Sequence, residues 1–252
     1  MFWGVVEGVF RYPVKSLGGE SVDSCFVGFE GLVGDRVYAV VDAVTGFAVS
    51  AKKEPRLLSV SAKMVDEELM LVFPDGRVVA RDEADDALTR FLGREVKLVK
   101  NAGRSLPFTG LEIDFDQGGR LYEKTGETKE SRFHDSQPIH LIRVETLIER
   151  DLSIEDIPRF RPNIVYSSST KEDSVIGGYM QVGDAVLKIV KPTKRCIVIT
   201  HPQPGISQNI DLLKRTRTNH GGKFGLYAVV LKPGTISMKN PIKFYPAETS
   251  ST

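Results

Sequence analysis

Short apolar runs at close spacing constrain this chain more than any other feature. WGVVEGVF, RVYAVVDAVTGFAVS, RLLSVSAKMV, LMLVF and EVKLVK follow one another within the first hundred residues, and PIHLI, PNIVY, AVLKIV, RCIVIT and GLYAVVL follow later. Val, Ile and Phe fill them, the residue types that suit a pleated, half-buried surface. Turn chemistry separates them at Thr45-Gly46, at Asp66-Glu67-Glu68 and at Pro74-Asp75-Gly76. In the last of these, Pro presets φ and Gly tolerates φ > 0. Helical patterns are few and short: DEADDALTRFLG (82–93), VETLIERDL and NIDLLKRTR. The first has acids in its first turn, Arg90 in its last and Gly93 placed to stop it. A wholly parallel sheet needs a crossover helix between strands. The pattern therefore predicts an α+β, mainly β chain, with a mixed β-barrel core and short peripheral helices. No internal repeat is present.

Residues 103–135 change character. GRSLPFTGLEIDFDQGGRLYEKTGETKESRFHD is polar, rich in glycine and weakly periodic, and it is long for a connection inside a compact domain. Two readings stand: a functional, mobile loop or a plain surface insertion. The tail PAETSST is polar and reads as a frayed end.

The 34 basic and 33 acidic residues leave a net charge of +1, which argues against a nucleic-acid or membrane surface. The N-terminal apolar run is short and holds Glu7, so neither a signal peptide nor a membrane anchor is expected. Two cysteines 171 positions apart make neither a disulfide framework nor a zinc pattern, and a reducing, cytoplasmic location is expected. Cys25, in SVDSCFVGF, reads as a small residue within a strand, unbonded to Cys196.

Three stretches place cations where chemistry could use them. In KRCIVIT, Cys196 follows Lys194 and Arg195 at the expected start of a strand. Cations favour the thiolate form that binds metal or attacks carbon. On regular strand, however, Arg195 and Cys196 point to opposite faces, and a cysteine opening an apolar run is commonly a small core residue. In YPVKSLGGE, Lys15 and Ser16 precede a Gly-Gly turn that can offer backbone N–H groups to an anion. In RFRPNIVY, Pro162 is expected to force Arg161 into an extended conformation, and arginine can grip a phosphate or carboxylate with two bonds. Taken alone, each segment reads better as a solvated charged turn than as a site. His134, His140, His201 and His220 show no metal spacing, and a Cys196 pair with His140 or His201 is open but unspecified.

Taken in order, YPVKS, GDRVYAVVD, AKKEPRLL, DSQPIHLI, RFRPNIVY, RCIVITHPQPG and GLYAVVLKPGTI resemble the MOSC family, the domain at the C-terminus of molybdenum-cofactor sulfurases. The branch they resemble holds the mitochondrial amidoxime-reducing components and bacterial hydroxylaminopurine-detoxifying proteins. The resemblance implies an N-terminal MOSC-type β-barrel region over 1–100 and a MOSC domain over 101–252, sharing one site. It implies a molybdenum–molybdopterin cofactor with Cys196 as the metal ligand and catalytic residue, since thiolate is a soft ligand. Lys15, Ser16, Arg36, Ser136, Gln137, Arg161, Asn163, Lys194, Arg195 and Tyr227 fall where that family holds its cofactor. Lys194 stands where the mitochondrial branch has a small polar residue, and Ser136-Gln137 where it has a Thr-Ser pair.

The activity so implied is reduction of N-hydroxylated compounds: amidoximes, hydroxylamines and N-hydroxylated bases. A carrier of cofactor or sulfur without its own turnover is the alternative, and a metal-free cysteine hydrolase or plain β-domain is a third reading. Expected partners are a small N-hydroxylated substrate and a separate electron donor of ferredoxin or cytochrome type, because no ferredoxin-module cysteines follow KFYPAETSST. Neither nucleic acid nor membrane is expected as a partner.

Overall fold

The computed structural model describes residues 2–114 and 120–247. In chain order the first half holds β1 (Phe2–Arg11), β2 (Glu20–Val22), β3 (Ser24–Gly28), β4 (Gly31–Leu32), β5 (Tyr38–Asp42), β6 (Ser61–Val65), β7 (Glu68–Val72), β8 (Val78–Ala80), α1 (Ala84–Leu92) and β9 (Val96–Lys100). The second half holds β10 (Pro107–Asp114), β11 (Arg120–Glu127), β12 (Ile139–Arg143), α2 (Val144–Ile148), α3 (Ile157–Phe160), β13 (Ile164–Ser168), β14 (Tyr179–Val182), β15 (Ala185–Lys194), α4 (Asp211–His220), β16 (Lys223–Lys232), β17 (Gly234–Ser237) and β18 (Pro241–Tyr245).

Seven strands close into a barrel in the order β13-β12-β16-β15-β14-β18-β1, with β1 pairing back to β13. The β12–β13 pair is parallel and the other pairs are antiparallel, so the predicted mixed barrel with short helices is the fold. Closure removes the unpaired edges that short strands would otherwise expose. Val6, Leu141, Ile164, Leu187, Leu226 and Ile242 fill the interior. All five residues of β12 are buried, because Leu141 faces that interior while Ile142 packs outward with Phe160, Leu213 and Phe224. A strand covered on both faces lacks apolar–polar alternation, which is why PIHLI carries none; the buried His140 and Arg143 of β12 are hydrogen-bonded instead.

The first half builds a second core of Leu17, Val40, Leu57, Leu71, Leu88 and Leu98 beneath the β5–β9 pair, the β6-β7-β8 meander and α1. It also lends β1 to the barrel and β3 to a small sheet with β17. The two regions divided near residue 100 in sequence thus share strands in space. Gly93 ends α1 in the left-handed region at φ 69°, as its position foretold.

Several local expectations are corrected. Residues 103–135 contain an antiparallel hairpin of β10 and β11, paired from Pro107–Glu127 to Asp114–Arg120; the stretch 115–119 lies outside the described residues. Weak periodicity misled because most side chains of the projecting β11 are exposed. Of the tail, 248–252 lies outside the described residues. Pro55–Ser59 is a 3-10 turn rather than the start of a strand. The same holds for Ile197–Thr200, so Cys196 leaves β15 in extended conformation and heads a 3-10 turn instead of opening a strand. Cys25 is buried in β3, and both cysteines are free thiols.

Candidate functional site

A cavity of about 900 Å³ opens where the two regions meet the β10–β11 hairpin. Its walls carry eleven lysine and arginine side chains against two carboxylates, Glu112 and Asp135, in a chain whose net charge is only +1. Lys15, Ser16, Arg36, Ser136, Gln137, Arg161, Asn163, Lys194, Arg195, Cys196 and Tyr227 all line it. Residues up to 212 positions apart are brought to one surface by β1, β12, β13 and β16 lying side by side.

Tyr12 organises the floor. It is 4% exposed, and the guanidinium carbons of Arg36 and Arg161 lie 4.6 and 4.5 Å from its ring centroid. A buried ring face offers such cations an attractive surface. Burial pushes the Tyr12 phenol up to about 12, against the pull of the two arginines. Arg36 Nη1 donates to Asp35 Oδ2 at 2.5 Å, and Asp35 Oδ1 accepts the Tyr12 N–H at 2.7 Å. Asp35 is wholly buried, so this ion pair and hydrogen bond are its compensation for leaving water. For Arg36 burial works against the charge, but Asp35 outweighs it and holds the guanidinium above its ordinary value.

Arg161 is not extended. It closes α3 in the left-handed region (φ 55°, ψ 51°), contrary to the expectation from Pro162. Its carbonyl accepts from Arg36 Nη2 at 3.1 Å and from His140 Nδ1 at 3.3 Å, and its Nη1 donates to the Leu17 carbonyl. These bonds override the local preference. Burial, then the neighbouring Arg36, pulls Arg161 down to about 10. Lys15 is 6% exposed and donates to Asp135 and to the Phe133 carbonyl. Asp135 presents its side chain to the open cavity, 78% exposed, yet sits among walls that desolvate it. Desolvation there opposes its ionisation, but Lys15, then Arg36 and Arg161, hold the carboxyl well below the usual range.

Arg195 Nη2 donates to the Phe160 carbonyl at 2.9 Å, and Nη1 lies 3.3 Å from His140 Nε2. Arginine can only donate, so Nε2 accepts and Nδ1 carries the proton toward Arg161. Burial, reinforced by Arg195, keeps His140 neutral and far below its ordinary value. Both ring nitrogens are thus occupied, and His140 cannot serve Cys196 as a base. His201 is not among the cavity residues, so the open Cys–His pairing finds no support in the geometry. Gly225, at φ 78°, lets β16 pass His140: a Cβ there would fall 2.7 Å from Nε2.

Some expected contacts are engaged elsewhere. Asn163 accepts from the His140 N–H and donates to the Phe10 carbonyl, stitching β12, β13 and β1 together. Ser16 Oγ accepts the Ala51 N–H. The Gly18 N–H donates to Val60 O, so the Gly-Gly turn does not offer that group to an anion. Sequence reading missed Tyr12, Asp35 and Asp135 and left His140 without a role. GDR and YPVKS contained the first two, but nothing local marks a tyrosine or aspartate as the support of a distant arginine.

Charge and donor chemistry test what fits. Lys15, Arg36, Arg161 and Arg195 face two carboxylates, Asp35 and Asp135, which leaves a positive excess. Arg195 Nε is buried without a hydrogen-bond partner. An oxyanion would use both. Among the described residues no group of three or more His, Cys, Asp or Glu side chains could hold a metal ion. A metal bonded to Cys196 must therefore bring its remaining ligands with it, as a pterin dithiolene does. The residues present fit such a group.

Family models match the chain over 3–104, as a MOSC N-terminal beta barrel domain, and over 128–243, as a MOSC domain. The chain is 26% identical over 283 residues to mitochondrial amidoxime reducing component 2 of Rattus norvegicus, covering 95% of this chain and 82% of that one. It is 26% identical over 295 residues to mitochondrial amidoxime-reducing component 1 of Homo sapiens, with the same coverage of 95% and 82%. Among solved structures, the YUAD protein of Bacillus subtilis superposes with a TM-score of 0.49 at 12% identity, over 98% of this chain and 97% of that one.

Proposed function

Because this chain belongs with the MOSC-domain proteins, joining a MOSC N-terminal beta barrel domain to a MOSC domain, we propose that it is a molybdenum-cofactor-dependent reductase of N-hydroxylated compounds. The observation that carries this reading is the single cavity in which Lys15, Arg36, Arg161 and Arg195 meet the Cys196 thiol. When bound, the molybdenum–pterin supplies the two-electron redox chemistry that no side chain here can provide. Cys196 is the metal's protein ligand. Lys15, Arg36, Arg161 and Arg195 hold the pterin phosphate and polar edges by charge-assisted bonds.

The reaction converts R–NHOH, two electrons and two protons into R–NH2 and water. Electrons come from a separate donor protein. The chain's own groups set orientation and protonation. His140 fixes the Arg195 guanidinium from one side while the Phe160 carbonyl fixes it from the other. Tyr227 keeps its proton at Oη, its phenol pushed up to about 12 by burial, with Asp135 adding to the shift. Asp135 stays ionised and holds Lys15 toward the cavity. Among the described residues no helix is long and apolar enough to cross a membrane.

Molybdenum analysis of the purified chain, combined with anaerobic benzamidoxime reduction under a chemical electron donor, tests this. Stoichiometric molybdenum and turnover that vanish in molybdate-starved cells support it. Turnover insensitive to molybdate, or metal-loaded protein inert toward every N-hydroxylated compound tried, overturns it.

A further inference from the structure

Lys194 of β15 stands directly opposite Lys223 of β16 in the antiparallel register. Like charges facing each other across a strand pair are destabilising, and among the described residues neither lysine has a carboxylate within ion-pair distance. Both line the cavity, as does Lys191 three residues earlier, cross-strand from Tyr227. Lys15, Arg36, Arg161 and Arg195 are tied into carbonyls, Asp35, Asp135, Tyr12 and His140. Lys191, Lys223 and Lys194, the last of which the family resemblance also gave to the cofactor, are not, and that difference assigns Lys194 to a separate site. The cavity thus has an inner, braced cationic floor and an outer, unbraced cationic wall. Its volume of about 900 Å³ sits near the top of the range of roughly 300–1,000 Å³ for small-molecule sites, so there is space for a second ligand beside a pterin.

We infer that Lys194 and Lys223, with Lys191, form a second oxyanion site that binds a phosphate carried by the substrate. The favoured substrate is then a phosphorylated N-hydroxylated compound, such as a nucleotide with an N-hydroxylated base, rather than a neutral amidoxime. The substrate assignment rests on the reductase reading; the oxyanion site does not. A small molecule suits the geometry better than an acidic protein surface, because Glu112 and Ile113 of the hairpin wall the same cavity. A bound phosphate would also relieve the repulsion between the two facing lysines.

The test has two arms. Calorimetry compares AMP with adenosine on cofactor-loaded and cofactor-free protein, in wild type and in Lys194→Gln and Lys223→Gln. Kinetics compares N4-hydroxycytidine with its 5′-monophosphate. On wild type, the phosphate should raise affinity and kcat/KM by about tenfold, the scale of a charge-assisted contact. Each substitution should reduce that ratio severalfold without lowering thermal stability, since it removes a repulsion. Equal values with and without phosphate, or a preference that both variants retain, overturn the site. AMP binding confined to cofactor-free protein places the phosphate in the subsite of the cofactor's own phosphate and overturns the substrate assignment. Variants that change only the KM for a protein electron donor also overturn it. If no N-hydroxylated compound turns over, the reductase reading fails, while calorimetry still decides whether the oxyanion site exists.

Discussion

Arg36 Nη2 donates to the carbonyl of Arg161 at 3.1 Å, across 125 positions of sequence. Both residues have left-handed backbones, at φ 49° and φ 55°. That conformation is uncommon outside glycine and is retained where surrounding bonds over-determine it. Here the Tyr12 carbonyl accepts the Arg36 N–H at 2.8 Å, and the Pro158 carbonyl accepts that of Arg161 at 3.2 Å. Two strained arginines over one tyrosine ring join the N-terminal and C-terminal regions at the cavity floor.

Arg161→Ala and Arg161→Gly should separate strain from function. Both remove the side chain that reaches the cavity, so both should lower the molybdenum-to-protein ratio of purified protein, with partial recovery when cofactor is in excess. Only glycine relieves the left-handed backbone, so Arg161→Gly should be about 1 kcal/mol more stable than Arg161→Ala in urea unfolding. Equal stabilities would refute the strain argument.

Removing the Asp35 carboxylate should cost far more than any surface charge. Asp35→Ala leaves Arg36 buried without its counterion and the Tyr12 N–H without its acceptor. A loss of roughly 3–5 kcal/mol is expected, read as a shift of the urea midpoint. A loss under 1 kcal/mol would mean that water replaces the carboxylate.

Cys196→Ser should fold normally, because the thiol is only partly buried and serine is nearly isosteric. It should lose most or all bound molybdenum and all turnover, since a hydroxyl is a harder and far less acidic ligand. Unfolding would return Cys196 to the core. Full activity would remove it from the metal.

Stability should rise with pH between about 4 and 6.5, the window bounded by the folded His134 and an ordinary histidine. Burial, chiefly, pulls His134 down to about 4 and holds His140 well below its usual value. The folded state therefore binds fewer protons there than the unfolded chain, and stability is lost as pH falls through the window. Glu172 works oppositely: burial raises it to about 7, so its contribution is present below the ordinary glutamate value and lost as pH rises toward 7. Burial also holds His201 and His220 below their ordinary values, so four histidines against one glutamate leave a net rise with pH. Glu172→Gln should steepen the slope of the urea midpoint against pH; an unchanged slope would show that Glu172 ionises normally when folded.

Much of the architecture was legible in the chain, because β-forming types at close spacing, punctuated by Gly, Pro and Asp, leave few alternatives to a small-strand fold. The helix ending at Gly93 and the strand at PIHLI needed only local chemistry; that this strand is buried on both faces came from the fold. Residues 103–135 were not legible. A hairpin whose second strand is exposed lacks the apolar alternation that marks a strand, and its pairing is a contact between residues up to twenty apart.

Sequence alone determined which residues could carry chemistry here: a cysteine beside two cations, and arginines and lysines at turns. It could not decide whether they were solvated or convergent, since charge has no local signature of its partner. Tertiary structure decided that. Barrel closure brings Arg36, Arg161 and Arg195 to one floor, and buried Asp35, Tyr12 and His140 hold them there. It also overruled local preference at Arg161, where hydrogen bonds from Arg36 and His140 outweigh the restriction imposed by Pro162. Burial makes each unmet hydrogen bond costly, so the partners available in space, rather than the neighbours in sequence, set the conformation.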